Sequence, residues 1–210
     1  MKFSNYLDKG KIETTISESV VFGSEIFHTA LLIRELPILK DAFLRSRDNQ
    51  ISGDEYKIIM SPFIFESYTD AFKICVFFEN YLKARLLQCG YIIHKIKDNE
   101  SYASLSKKQQ KQPISLTDLL THDKESLNLS KEVILNSSLT NCTLTISTMF
   151  KIKYNEIIRL PNDILETVKY ITNKRNEIHF LNDWEFTIST SFLNNLEILL
   201  SFVNNQIQSK

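Results

Sequence analysis

Arg175, Asn176 and His179 stand within five residues of one another in the stretch KRNEIHF, positions 174 to 180, where the surrounding pattern asks for apolar side chains. A planar guanidinium grips two oxygens of a phosphate, and an amide both donates and accepts hydrogen bonds. An imidazole, with an unperturbed pKa of about 6.5, moves a proton near neutral pH. Together the three supply what phosphate-ester chemistry requires. The plainer reading is structural: Arg175 bonded to a carboxylate such as Glu79, and His179 a satisfied core histidine near a helix end.

The stretch closes a helical pattern. Pro161 fits a first turn, Asn162 and Asp163 favour the positive end of the helix dipole, and Leu165, Val168, Ile171 and Ile178 lie on one stripe. Read in steps of three and four as Leu165, Val168, Thr172, Arg175, His179, that stripe turns polar at its end. Burying a guanidinium and an imidazole costs several kcal/mol unless each is paired or reaches water. The helix is expected to end near Leu181 and Asn182, with Asp183 capping a last helix that turns Leu196, Leu199, Leu200 and Val203 inward.

Upstream, Thr14 to Arg34 carries apolar residues three to four apart, and Pro37 opens the helical PILKDAFLRSR. After Pro62 the run FIFESYTDAFKICVFFENYLKARLLQCG predicts a long central helix that stops at Gly90 in a left-handed cap. Its phenylalanines, spaced with the helix, read as core. Glu79 and Lys83, four apart with the acid first, read as a solvated helix pair and, as secondary site candidates, as a lining of a cleft facing Arg175. From about 98 to 138 the chain turns polar, with SKKQQKQP at its heart. Lys107, Lys108 and Lys111 there could touch phosphates, although a charged loop is commonly just solvated. LTNCTLTISTMFKIKY is ambiguous between strand and helix, and the reading leans to helix. His94 and His122 have no partner at a telling spacing. The expected fold is all-α: one domain over 1–210, an antiparallel helical bundle with an irregular middle insert.

Composition bounds the function. The 210 residues carry a formal net charge of +0, so affinity for nucleic acid must come from a local patch. The three cysteines, Cys75, Cys89 and Cys142, form no CxxC pair and read as reduced core thiols. With four glycines and no GxGxxG, P-loop, HExxH or GxSxG pattern, dinucleotide folds, P-loop enzymes, zinc proteases and serine hydrolases lack their signatures. Neither cofactor nor metal is expected. The N-terminus has no apolar signal core and no run approaches the roughly 18 apolar residues of a membrane span, so the expectation is a cytoplasmic protein.

RNEIHF, late in a helical chain and after FENYLKARLLQCGYIIHKI, resembles the HEPN family of helical nucleotide-binding and ribonuclease domains. In layout the resemblance covers about residues 63 to 205, and in specific residues it rests on Arg175, Asn176 and His179. It implies metal-independent RNA cleavage in a toxin or abortive-infection effector of antiviral defence, by a homodimer that brings two motifs to one cleft. The spacing departs from the family: three residues separate Arg175 from His179, fewer than in its catalytic members. The alternative is a catalytically inactive module that binds a nucleotide, RNA or a protein such as an antitoxin or nucleotidyltransferase.

Overall fold

The structure, a computed structural model, describes residues 1–122, 129–178 and 188–208. A 3-10 turn (Phe3–Leu7) leads into α1 (Lys9–His28), α2 (Leu31–Arg34), α3 (Leu36–Arg47) and α4 (Gly53–Gln88). Then follow β1 (His94–Ile96), α5 (Ala103–Gln109), α6 (Leu116–His122), α7 (Lys131–Ser138) and β2 (Leu139–Thr143). The chain continues through α8 (Ile146–Met149), α9 (Ile152–Ile158), α10 (Asn162–Ile178) and α11 (Thr190–Gln208). The fold is all-α, with one two-stranded sheet among the described residues.

The local rules of helix ends explain α4. Ser52 Oγ accepts the N–H of Glu55 at 3.1 Å, and Asp54 and Glu55 sit in the positive first turn. The helix therefore starts nine residues ahead of Pro62 rather than after it, and Pro62 lies inside. The carbonyl that Pro62 cannot bond belongs to Ile58, which is 75% exposed, so solvent can serve it. At the other end Gly90 adopts φ 78°, Tyr91 N–H bonds Leu86 O at 2.9 Å and Gly90 N–H bonds Leu87 O at 3.0 Å. These two bonds make the expected left-handed cap a Schellman motif.

The chain forms two compact units. The first comprises Met1–Val20 and Glu79–Leu160, the second Val21–Phe78 and Pro161–Lys210.

In the first unit, β1 pairs antiparallel with β2, His94 opposite Thr143 and Ile96 opposite Leu139, with an irregularity between them. The β-branched, Thr-rich start of LTNCTLTISTMFKIKY is thus strand, and its remainder is α8 and α9; pairing with β1 decided what propensity left open. The polar stretch between is folded as α5, α6 and α7 around the sheet. Gln109, almost fully buried, explains how: its Oε1 accepts Ile96 N–H at 2.9 Å, its Nε2 donates to His94 O at 2.9 Å, and its backbone O accepts the Tyr154 hydroxyl at 2.6 Å.

In the second unit the inward face of α4 meets α10 and α11. Ile74, Phe77, Phe78, Val168, Leu196, Leu199 and Val203 are fully buried, and Phe78 stacks on Phe202 with ring centroids 6.1 Å apart. Leu200 is half-buried. Ser189 Oγ accepts Phe192 N–H at 3.2 Å at the start of α11; Asp183, the cap expected from sequence, lies outside the described residues. The ends expected near Leu181 and Asn182 lie outside them as well.

Candidate functional site

α10 carries Arg175 and Asn176, and its packing shows where the stripe stops being core. Leu165, Val168, Ile171 and Thr172 are buried against the second unit. Thr172 Oγ1 donates to Val168 O at 2.7 Å and lies 3.5 Å from Cys75 Sγ, so the polar atom nearest the motif is satisfied within the core. One turn later Arg175 is half-buried. Its Nη2 and Nε reach Asn176 Oδ1 at 3.2 and 3.4 Å. Among the described residues no carboxylate forms an ion pair with it.

That arrangement leaves the guanidinium oriented by a neutral oxygen and its charge unneutralised by the described side chains. A cation so held can still accept an anionic ligand. Flanking it, Lys174 is held by Glu177 at 2.9 Å and stands 6.0 Å from the Tyr170 ring centre. Tyr170 packs edge-on against Phe192, 5.9 Å away. A groove of about 220 Å³ opens beside them, lined by Tyr170, Ser189, Ser191, Phe192 and Asn195. His179 lies outside the described residues.

The secondary candidates are bonded to each other in the first unit. Glu79 accepts from Lys83 Nζ at 2.6 Å, and the same Nζ donates to Thr143 Oγ1 at 2.9 Å. The Lys83 side chain is only 15% exposed, so this is a partly buried pair tied to β2 and not a freely solvated one. Both residues belong to the first unit and Arg175 to the second, and each makes its bonds within its own unit.

Sequence reasoning found no partner for His94, and the structure supplies one from 88 residues away. His94 Nδ1 lies 2.8 Å from the Tyr6 hydroxyl, with Phe3 edge-on to the ring at 5.0 Å. No spacing rule reaches that far; the weak signal was a histidine alternating with isoleucines in YIIHKI. His122 Nε2 lies 3.1 Å from Ser101 O, and His28 sits 2.8 Å from Ser24 O and 3.0 Å from Asn204 Oδ1. Each described histidine is thus held by an internal bond.

Lys107, Lys108 and Lys111 are exposed on and just after α5 and make no ion pair with a described residue. Lys151 Nζ donates to Gln110 O beside them. Among the described residues no group of three or more His, Cys, Asp or Glu side chains could hold a metal ion, and no helix is long and apolar enough to cross a membrane. Comparisons with protein-family models, with curated proteins and with solved structures found no match to this chain.

Proposed function

We propose that the chain is an RNA-cleaving protein of the HEPN kind, working without a metal ion as a toxin or antiviral-defence effector in the cytoplasm. One observation carries the reading: the Arg175 guanidinium, at the end of a buried stripe, is oriented by the Asn176 amide rather than neutralised by a described carboxylate. The all-α fold and the placement of Arg175 and Asn176 in the last turn of the long α10 agree with it.

In this mechanism His179 takes the proton of a ribose 2'-hydroxyl as its oxygen attacks the adjacent phosphorus. Arg175 stabilises the charge that builds on the phosphorus oxygens, and Asn176 positions both cation and phosphate. The bond to the 5'-oxygen breaks, that oxygen takes a proton, and the product ends in a cyclic phosphate. One imidazole cannot serve as base and acid in the same step, so a two-fold dimer that brings a second His179 to the cleft completes the chemistry. The Lys107, Lys108, Lys111 and Lys151 patch supplies phosphate affinity that a net charge of +0 cannot.

The short spacing between Arg175 and His179 favours one second reading: an inactive relative that binds a nucleotide, RNA, an antitoxin or a nucleotidyltransferase. The test incubates total RNA in EDTA with the wild type, His179→Ala and Arg175→Ala, and maps product ends. The first reading expects cyclic-phosphate ends from the wild type and a loss of about 10²- to 10⁴-fold in His179→Ala. Equal inactivity of all three folded proteins would instead establish the second.

A further inference from the structure

α4 is apolar on two sides. Its inward face in the second unit carries Met60, Phe63, Ile74, Phe77 and Phe78, all buried. Its outward face carries Ile58, Phe65 and Phe72 at 75%, 82% and 53% exposure, with Ile64 at 57% and Tyr68 at 39% between them. Residues seven apart on a helix return to within about 20° of one line, so Ile58, Phe65 and Phe72 form a straight seam about 21 Å long. Lys57 and Glu66 stand on the flanks of that seam and no charged residue stands on it. A helix that is hydrophobic all round belongs in an interior, and here half of it has none.

We propose that this seam docks against the same seam of a second copy of the chain, the two α4 helices running antiparallel about a two-fold axis at Phe65. Area is the first argument. With about 150–250 Å² for each aromatic ring, the five side chains still expose on the order of 600 Å² per copy, the upper end of the largest patch a typical monomer leaves. Pairing two such seams buries on the order of 1,200 Å² in total, the lower end of what a specific interface needs.

Self-complementarity is the second. In the antiparallel register Phe65 meets its own counterpart, and Ile58 meets Phe72 of the other copy, so every large side chain finds an apolar partner. A parallel pairing would set Lys57 beside Lys57 and Glu66 beside Glu66 at the same height and align the two helix dipoles. A formal net charge of +0 puts no long-range repulsion between copies. The surface stands on these observations and does not rest on the RNA reading.

Light scattering of the full chain at tens of micromolar tests it. The wild type is expected at twice the monomer mass, and Phe65→Glu and Phe72→Glu at the monomer mass with unchanged far-ultraviolet circular dichroism, since both positions are exposed. With the exposed Cys89 and Cys142 replaced by serine, Phe65→Cys should cross-link to itself with a short bis-maleimide. Ile58→Cys should link only when mixed with Phe72→Cys. A wild type at monomer mass, including one that instead binds lipid vesicles or another protein, would overturn the proposal. So would a dimer that both glutamate variants keep. Arg175→Ala should remain dimeric, so failure of RNA cleavage and failure of pairing are read separately.

Discussion

The hydroxyl of Tyr6 stands 2.8 Å from His94 Nδ1 while accepting the backbone N–H groups of Ile93 and His94 at 2.9 and 3.1 Å. A hydroxyl that accepts twice has its single proton left to give, and it gives it to Nδ1. His94 is thereby held neutral, with its own proton on Nε2. Burial, then the positive N-terminus and Lys83, push its pKa down to about 4.

The sign of the resulting pH dependence follows. An unfolded histidine takes up its proton near pH 6.5, and the folded one does so only near 4. Above that window neither state is protonated and stability is full. As pH falls through it, the unfolded chain binds more protons, and stability drops by up to about 3 kcal/mol before levelling off. Urea midpoints from pH 7 to pH 4 should show this loss in the wild type and a flatter profile in His94→Gln; parallel profiles would show that His94 is not the group responsible.

Gly90→Ala isolates a backbone cost. The residue sits at φ 78°, yet a Cβ built there meets nothing within 4 Å. The expected destabilisation is therefore the left-handed penalty alone, about 1–2 kcal/mol, with no steric addition. Gly90→Asn should lose less, because asparagine tolerates this region. Thermal melts of the two variants should rank them in that order, and a neutral alanine variant would mean that the cap relaxes.

The contrast between Gly90 and Tyr6 shows what a linear reading can reach. The cap, the stripe of α10 and the inward face of α11 were legible because each is decided within two helical turns, by periodicity and by which residue tolerates an unusual φ. The strand at Leu139–Thr143 was not, because its partner is β1, more than forty residues earlier in the chain. Tyr6 with His94 is longer-range still, and Asp70 reaches α2 across 38 residues. At the candidate site the residue types were legible, but the Asn176 amide as the acceptor for Arg175 was not. Adjacent residues on a helix point about 100° apart, and only the bent guanidinium lets them meet.

Asp70 is fully buried, and its two oxygens divide the work: Oδ2 accepts the Leu32 N–H at 2.8 Å and Oδ1 accepts Lys73 Nζ at 3.2 Å. Lys73 also donates to Thr29 O at 3.2 Å, so one carboxylate anchors the whole entry to α2. Asp70→Ala strands a backbone donor and a partly buried ammonium, and should cost about 2–4 kcal/mol. Asp70→Asn keeps an acceptor for Leu32 and should recover part of that. Urea unfolding of both distinguishes a structural clasp from a bystander, since equal stability of the alanine variant and the wild type would leave Asp70 without the role its geometry gives it.

On the proposed RNA-cleaving reading, the lysines on and just after α5 separate electrostatics from chemistry. Lys107, Lys108 and Lys111 are exposed and make no ion pair with a described residue, so replacing them should not disturb the fold. Each lysine that neutralises a phosphate of a single strand contributes about 0.7 to the slope of log K against log salt. Replacing all three by glutamine should therefore lower that slope by about 2 and weaken binding of a single-stranded RNA most at low salt. Cleavage of RNA supplied at saturation should be unchanged, because none of the three is placed in the reacting constellation. Filter binding across a salt series reads the slope directly. An unchanged slope would remove this patch from the RNA path and leave the affinity to other cations.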